Sequence, residues 1–429
     1  MNKLDLKRIA LEVETENYFF SDKSNLDSLR SPSKIVGRQD KGKDIARFLL
    51  GYKKGHVVPF ISVYGRSGSG KSSTVKFVLE NLDSENISYK FVNLREARTV
   101  FGCANLILSE LGKEPLKSAQ GINVAVDHIG KEIESILELR EKERPGRKLF
   151  VLVLDEFDAI FYDKRVSPAD FIYKLLVMQE KLRQSRGLLV TIIAISNNVM
   201  SDYEIDDRVR SRIGSSSEVF FEPYGKQDVL EILKDRADVA LADKVETSVL
   251  QYCAELSWEE HGDARRAIDM LRVAAEIAGM KGDRKLTREH LDLASLQLQK
   301  DRIAVVISNA SYHLKVVCAA LARLSYLSGE KPSSTSSIYN EYCNTLSDGA
   351  KPLSYRRISE LLTELENSGL VVSHTRSKGR QGYGTQFRLA ASSDMIGRTC
   401  FPEWWKTVVR NHEIEDLMKT IKHFHRYST

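Results

Sequence analysis

The sequence predicts an α/β protein: a five-stranded parallel sheet, then a small all-helical segment, then a three-helix unit closed by a β-hairpin. Three observations predict it. Between about Ile35 and Tyr224, apolar strand-like runs alternate with stretches of helical periodicity, the pattern of a parallel sheet with helical crossovers. From Gly225 to Lys300 strand patterning stops and helical spacing takes over. Beyond Lys300, helical stripes are followed by two short strand-like runs around a glycine- and cation-rich tip.

Composition sets the frame. At 429 residues the chain has room for about three domains. Its 42% hydrophobic and 29% charged residues describe an ordinary globular protein with a sizeable core. No run approaches the ~20 apolar residues that span a bilayer, and the N-terminus alternates charged and apolar residues without a signal-peptide core. Cys103, Cys253, Cys318, Cys343 and Cys400 are odd in number, widely spaced and never C-x-x-C. They read as reduced thiols, not disulfides or zinc ligands, and the expected compartment is the cytoplasm. The net charge of +5 is unevenly placed, because residues 301–429 hold 17 Lys+Arg against 12 Asp+Glu. The first 300 residues are neutral, with the remaining 47 of each sign. A basic C-terminal third suits an anionic partner, or is simply a solvated charged surface.

Taken in order, residues 1–34 form a polar, serine-rich N-terminal arm. Residues 35–224 carry the sheet, with strands expected at 59–64, 88–93, 148–156, 188–196 and 217–223. Residues 225–300 read as a helical lid, 301–315 as a linking helix, 301–390 as the third unit and 391–429 as a helical extension. There is no internal repeat and no low-complexity segment.

Gly65-Arg66-Ser67-Gly68-Ser69-Gly70-Lys71-Ser72 spells G-x-x-x-x-G-K-[ST] between a strand and a helix whose apolar face is Val75, Val78, Leu79 and Leu82. Such a loop aims backbone N–H groups and the helix dipole at one point, and its glycines leave room for phosphate. Lys71 then reaches the β- and γ-phosphates, and the Ser72 hydroxyl is suited to Mg²⁺. Leu149–Leu154 followed by Asp155 and Glu156 is an apolar strand ending in two carboxylates. Asp155 suits the Mg²⁺ shell and Glu156 suits activation of a water. The next strand ends in Ser196-Asn197-Asn198; taken alone, an Asn pair there is a turn signal. Asp207–Gly214 and Gly262–Ala267 are arginine-rich, fitted to neutralise a transferring phosphoryl group or to face solvent.

In the C-terminal third, Tyr312–Leu327, Thr335–Thr345 and Ser354–Ser368 carry helical stripes, with Ser354 as N-cap and Gly369 as stop. Tyr355, Arg356 and Arg357 occupy the first turn of the last helix, where recognition helices meet base edges. Strands at 370–375 and 385–389 bracket a hairpin bearing Arg376, Lys378, Arg380 and Arg388 and no acidic residue. Helices followed by a basic hairpin make a winged helix, a DNA-reading unit that elsewhere also serves as a protein-docking module.

The series GRSGSGKS, VLVLDE, AISNN, DRVRSRIG, FFEPY and GDARRAIDMLRVAAEIA resembles the AAA+ ATPases. More narrowly it resembles the archaeal origin-recognition initiators, relatives of the origin recognition complex and of cell division control protein six. The resemblance spans about Ile35 to Leu389. It implies an α/β AAA+ core, a helical lid and a winged helix. It implies ATP or ADP as ligand with Mg²⁺, held by Gly65, Ser67, Gly68, Ser69, Gly70, Lys71, Ser72 and Ser73. Val36, Gly37, Arg38 and Tyr224 would flank the nucleotide, and Ser72 and Asp155 would hold the metal. Glu156 and Asn197 (sensor 1) would be catalytic, with Arg265 as sensor 2 and Arg212, or else Arg208, as arginine finger. Residues 95–130, with Arg95, Arg98 and Lys113, would be the initiator-specific insertion and a second DNA contact. The implied function is an ATP-dependent, nucleoid-associated initiator that marks origin DNA and helps load the replicative helicase, with other initiator subunits or paralogues as partners. The competing expectations are a signalling ATPase with a winged helix and a DNA-binding regulator with a vestigial ATPase. Asn198 departs from the family, standing where an acidic residue is common.

Overall fold

Burial on both faces of a parallel sheet produces the continuous apolar runs of the sequence. They form β1 (Phe60–Gly65), β2 (Ile87–Asn93), β3 (Leu149–Asp155), β4 (Leu189–Ser196) and β5 (Glu218–Phe221), all parallel, in the order β2-β3-β4-β1-β5. Leu149, Val151 and Val153 of β3 enter one core layer, and Phe150, Leu152 and Leu154 enter the other. The computed structural model describes residues 19–28, 30, 32, 34–97, 99–163, 165–203, 205–213, 217–259, 263–347, 349–377 and 383–426. The chain divides into two compact units, residues 1–291 and 292–429.

Register fixes which residues share the ligand edge. Asp155 lies opposite Asn93, Ser196 opposite Tyr64, and Gly65 opposite Phe221. The exits of β1, β3 and β4 therefore open on one edge, with β4 between the other two. That edge is where parallel α/β sheets bind ligands.

Helices α1 (Gln39–Leu50), α2 (Lys71–Asn81), α3 (Val100–Glu110), α4 (Gly121–Glu143), α5 (Pro168–Arg186) and α6 (Asp207–Ile213) complete the sheet domain. Their ends are written locally. Ser167 caps α5 ahead of Pro168, and Gly187 in the left-handed region (φ 67°) stops it. The lid is α7 (Lys226–Ala240), α8 (Thr247–Glu259) and α9 (Ala264–Lys281), the last capped by Asp263. The described part of the N-terminal arm is strapped onto α7. Ser21 N donates to Ala240 O at 2.9 Å, and buried Arg236 donates to the carbonyls of Asn25 (3.0 Å) and Arg30 (2.8 Å).

The second unit is a winged helix. Its first helices are α10 (Arg288–Asn309), α11 (Tyr312–Ser328), α12 (Thr335–Thr345) and α13 (Tyr355–Asn367), and with them goes a small sheet. It contains β6 (Ser333–Ser334), β7 (Val371–Ser377) and β8 (Tyr383–Leu389), in the antiparallel order β6-β8-β7. The expected linking helix over 301–315 is helical but interrupted at residues 310–311, between α10 and α11. The reason is Ser311, whose Oγ accepts the Leu314 N–H at 3.3 Å and starts a new helix. Residues beyond the wing fold back as α14 (Ser393–Cys400) and α15 (Pro402–Arg426). Trp405 is 0% exposed in this core, and its indole N–H donates to Asp394 at 2.9 Å.

Among the described residues, no helix is long and apolar enough to cross a membrane. All five cysteines are free, and all but Cys343 are buried.

Candidate functional site

The loop after β1 is shaped by glycines at positions where a side chain would be strained. Gly68 (φ 74°) and Gly70 (φ 87°) sit in the left-handed region, and a Cβ on either would strike Asp263 or the Tyr224 hydroxyl. Gly70 is the N-cap of α2, so the first amides of that helix, which have no intrahelical partner, face the loop's interior. Lys71 is only 8% exposed. Its Nζ donates to Gly65 O (2.7 Å), Arg66 O (2.9 Å) and Asn197 Oδ1 (3.2 Å). Burial lowers its pKa below the ordinary 10.5, while Asp155 and Glu156 pull the other way. A buried ammonium held by neutral oxygens suits a phosphate.

Ser67, Gly68, Ser69, Gly70, Lys71 and Ser72 line one cavity with Asp155, Glu156, Asn197 and Arg265. Elements far apart in sequence meet here because β3, β4 and β1 are neighbours with aligned exits. The turn after β3 is strained: Glu156 adopts φ 53°, and its N–H donates to Asp155 Oδ1 at 3.0 Å. Ser72, Arg265, Val36, Ser73 and Tyr224 line an adjoining cavity. Ser28, Lys34 and Ile35 of the arm supply part of its wall. The glycine cradle, the buried cation and the paired carboxylates together fit a nucleoside triphosphate with a divalent ion.

Arg38 and Arg212 stand elsewhere. Arg38, 5% exposed, lines neither cavity and braces the loop from behind. Its guanidinium donates to Ser69 O (2.9 Å), Gly37 O (3.0 Å) and Glu222 O (2.5 Å), and lies 3.9 Å from the Tyr224 ring centroid. Gly37, at φ 65°, packs against Asp228. Arg212 is 5.4 Å from the Tyr173 ring centroid, away from its own chain's phosphate cavity. Arg208 shares that ring and pairs with Asp206.

In the winged helix, Ser354 Oγ accepts the Arg357 N–H at 3.3 Å, so Tyr355, Arg356 and Arg357 open α13 as expected. Tyr355 is exposed, with its ring centroid 5.5 Å from that of Tyr339. Arg356 (92% exposed) and Arg357 share Glu360, at 3.6 and 2.6 Å. Arg376 lies on β7, and Lys378 and Arg380 fall outside the described residues. In the 95–130 segment, Lys113 pairs with Glu132 at 3.2 Å, and Arg98 also falls outside the described residues.

Sequence reasoning missed Asp158, Tyr203, Asp263 and Arg236. Asp158 could have been noticed: in Asp155-Glu156-Phe157-Asp158 it adds a third carboxylate just after a buried strand. Asp263 carried a local cap signal directly ahead of a helical stripe, whereas Tyr203 and Arg236 had none.

Three stretches match known family models. Residues 58–199 match an AAA domain, residues 230–295 a Cdc6 AAA+ ATPase-type lid domain, and residues 305–399 the CDC6 C-terminal winged helix domain. An ORC1-type DNA replication protein of Thermococcus kodakarensis is 31% identical over 387 residues, covering 88% of this chain and 89% of the relative. One of Desulfurococcus amylolyticus is 32% identical over 361 residues, 82% of this chain and 86% of the relative. Among solved structures, the ORC1 protein of Aeropyrum pernix in complex with DNA superimposes with a TM-score of 0.72 at 26% identity. That superposition covers 91% of this chain and 99% of the other.

Proposed function

The chain belongs to the family of ORC1-type DNA replication proteins, and on that premise we propose that it is an ATP-dependent initiator that binds origin DNA and helps recruit the replicative helicase. One observation carries the ATP half: Lys71, Asp155, Glu156, Asn197 and Arg265 line a single cavity around a glycine cradle. The DNA half rests on a winged helix whose α13 opens with exposed Tyr355 and Arg356, and on the DNA bound by the Aeropyrum pernix relative.

In this reading the loop amides and Lys71 bind the β- and γ-phosphates, and the arm, Val36 and Tyr224 enclose the rest of the nucleotide. Ser72 and Asp155 would hold Mg²⁺, which supplies charge neutralisation across the phosphates when bound. Glu156 orients a water and accepts its proton, Asn197 aligns that water with the terminal phosphate, and Arg265 reports the phosphate to the lid. Arg212, set apart from this cavity, would act as a finger only toward a second subunit's site. Hydrolysis is slow and regulatory. Arg356, Arg357 and the wing cations Arg376, Lys378 and Arg380 contact duplex DNA, the wing mainly through phosphate.

Glu156→Gln should bind ATP and fail to hydrolyse it, and Lys71→Ala should lose ATP binding. Chromosome-wide mapping of the bound protein should give peaks at replication origins. Occupancy spread without regard to origins would favour a general regulator instead.

A further inference from the structure

Asp158 is a buried carboxylate, 6% exposed, with no ion pair among the described residues. Neutral donors take both oxygens. Oδ2 accepts the Asn197 backbone N–H at 2.7 Å, and Oδ1 accepts the Tyr203 hydroxyl. The Asp158 charge favours the ammonium form of nearby Lys71 without a direct bond to it, and a buried carboxylate so placed is a candidate for work at the site.

Its surroundings say what that work is. Asn197 is gripped from two sides, its N–H by Asp158 and its Oδ1 by Lys71. The Tyr203 ring stacks on Phe161, centroids 3.9 Å apart and planes 8° from parallel, and its oxygen also accepts from Asn198 Nδ2 at 3.2 Å. Phe161 and Asp158 belong to the same turn, Phe157–Tyr162, which begins directly after strained Glu156. One short turn therefore sets two groups: the carboxylate proposed to activate water and the backbone of the amide proposed to align it. Tyr203 immediately precedes the segment leading into α6, which bears Arg208 and Arg212.

Resting on the ATPase reading above, we propose that Asp158 is a positioning residue for hydrolysis. It fixes the Asn197 backbone so that the carboxamide meets the terminal phosphate, and through Tyr203 it ties that setting to the arginine helix. The contribution is geometric: the carboxylate's role is as an acceptor and not as a charge.

The test uses the full chain, with ATP affinity by calorimetry and hydrolysis by single turnover. Asp158→Ala should keep the ATP Kd within about threefold while the hydrolysis rate falls at least about tenfold. Asp158→Asn, whose Oδ1 can still accept the Asn197 N–H, should recover to within about threefold of the unmodified rate. Tyr203→Phe should fall between them. A folded Asp158→Ala protein with an unaltered rate overturns the proposal, as does an Asn variant no faster than Ala. If thermal melting shows that Asp158→Ala is unfolded, Tyr203→Phe decides, and an unaltered rate there overturns it. Failure of the unmodified protein to bind ATP, or full turnover by Glu156→Gln, removes the ATPase reading itself. The other outcomes remove only the positioning role.

Discussion

Lys71 Nζ and Asn197 Oδ1 stand 3.2 Å apart, joining the helix after β1 to the exit of β4 across 126 positions of sequence. The remaining donors of the ammonium go to two carbonyls of its own loop. All three donors of the ammonium are thus taken by protein oxygens, and a phosphate would have to replace at least one of them.

That arrangement gives a pH dependence with two opposite signs. Burial holds Lys71 below 10.5, so between its depressed value and 10.5 the folded protein binds fewer protons than the unfolded chain. The Lys71 contribution to stability therefore rises with pH in that window. ATP affinity falls there, because the ammonium is the form that attracts phosphate. Calorimetry and thermal melting from about pH 8 to about pH 10 should show both trends, and Lys71→Met should lose both.

Arg38 should matter through its shape as well as its charge. Arg38→Ala and Arg38→Lys should each weaken ATP binding by about tenfold, since an ammonium cannot fork to three carbonyls while lying flat on Tyr224. A lysine variant with unaltered affinity would reduce the role to charge alone.

Gly70→Ala adds a methyl against the Tyr224 hydroxyl at a left-handed position. Thermal melting should show a loss of about 1–3 kcal/mol, with weaker ATP binding. Gly70→Ala combined with Tyr224→Phe should recover part of both, because the collision is relieved while the backbone strain remains.

Glu360 pairs with both Arg356 and Arg357, so under the proposed function it would compete with DNA phosphate for them. Glu360→Gln should tighten binding to duplex DNA about twofold to fivefold at low salt and steepen its salt dependence. Fluorescence anisotropy across a salt series would measure this, and unchanged binding would separate the first turn of α13 from the DNA contact.

Trp405→Ala should destabilise the winged helix by about 3–5 kcal/mol in chemical denaturation, since the indole is fully buried against Gly397.

How much was legible in the sequence depended on how far each requirement reached along the chain. The strands were readable because burial on two faces writes continuous apolar runs, and the phosphate loop because its demands fall within eight residues, Gly65 to Ser72. The cap Ser354 was local too. Asp158 was visible as a third carboxylate after β3, but its role was hidden, because its partners lie 39 and 45 positions away. Arg38 stood in a segment that the family resemblance sets beside the nucleotide, and its bracing of Ser69 and Glu222, which spans 31 and 184 positions, was not legible. Trp405 looked like part of an appendage. Only the fold reveals that it completes the core over Cys318 and Cys400.

The strap of the arm onto α7 has a practical corollary. Ser28, Lys34 and Ile35 wall the larger cavity, yet they precede every described strand and are held by contacts with the lid: the Arg236 grips on two carbonyls, a Lys34–Asp235 ion pair and a Ser28–Asp269 hydrogen bond. A protease nicking ahead of β1 would leave the glycine cradle whole and unroof the neighbouring chamber. Bulky fusions at the front end should therefore be avoided, and the rate of tryptic trimming there becomes a label-free gauge of whether the chamber is filled.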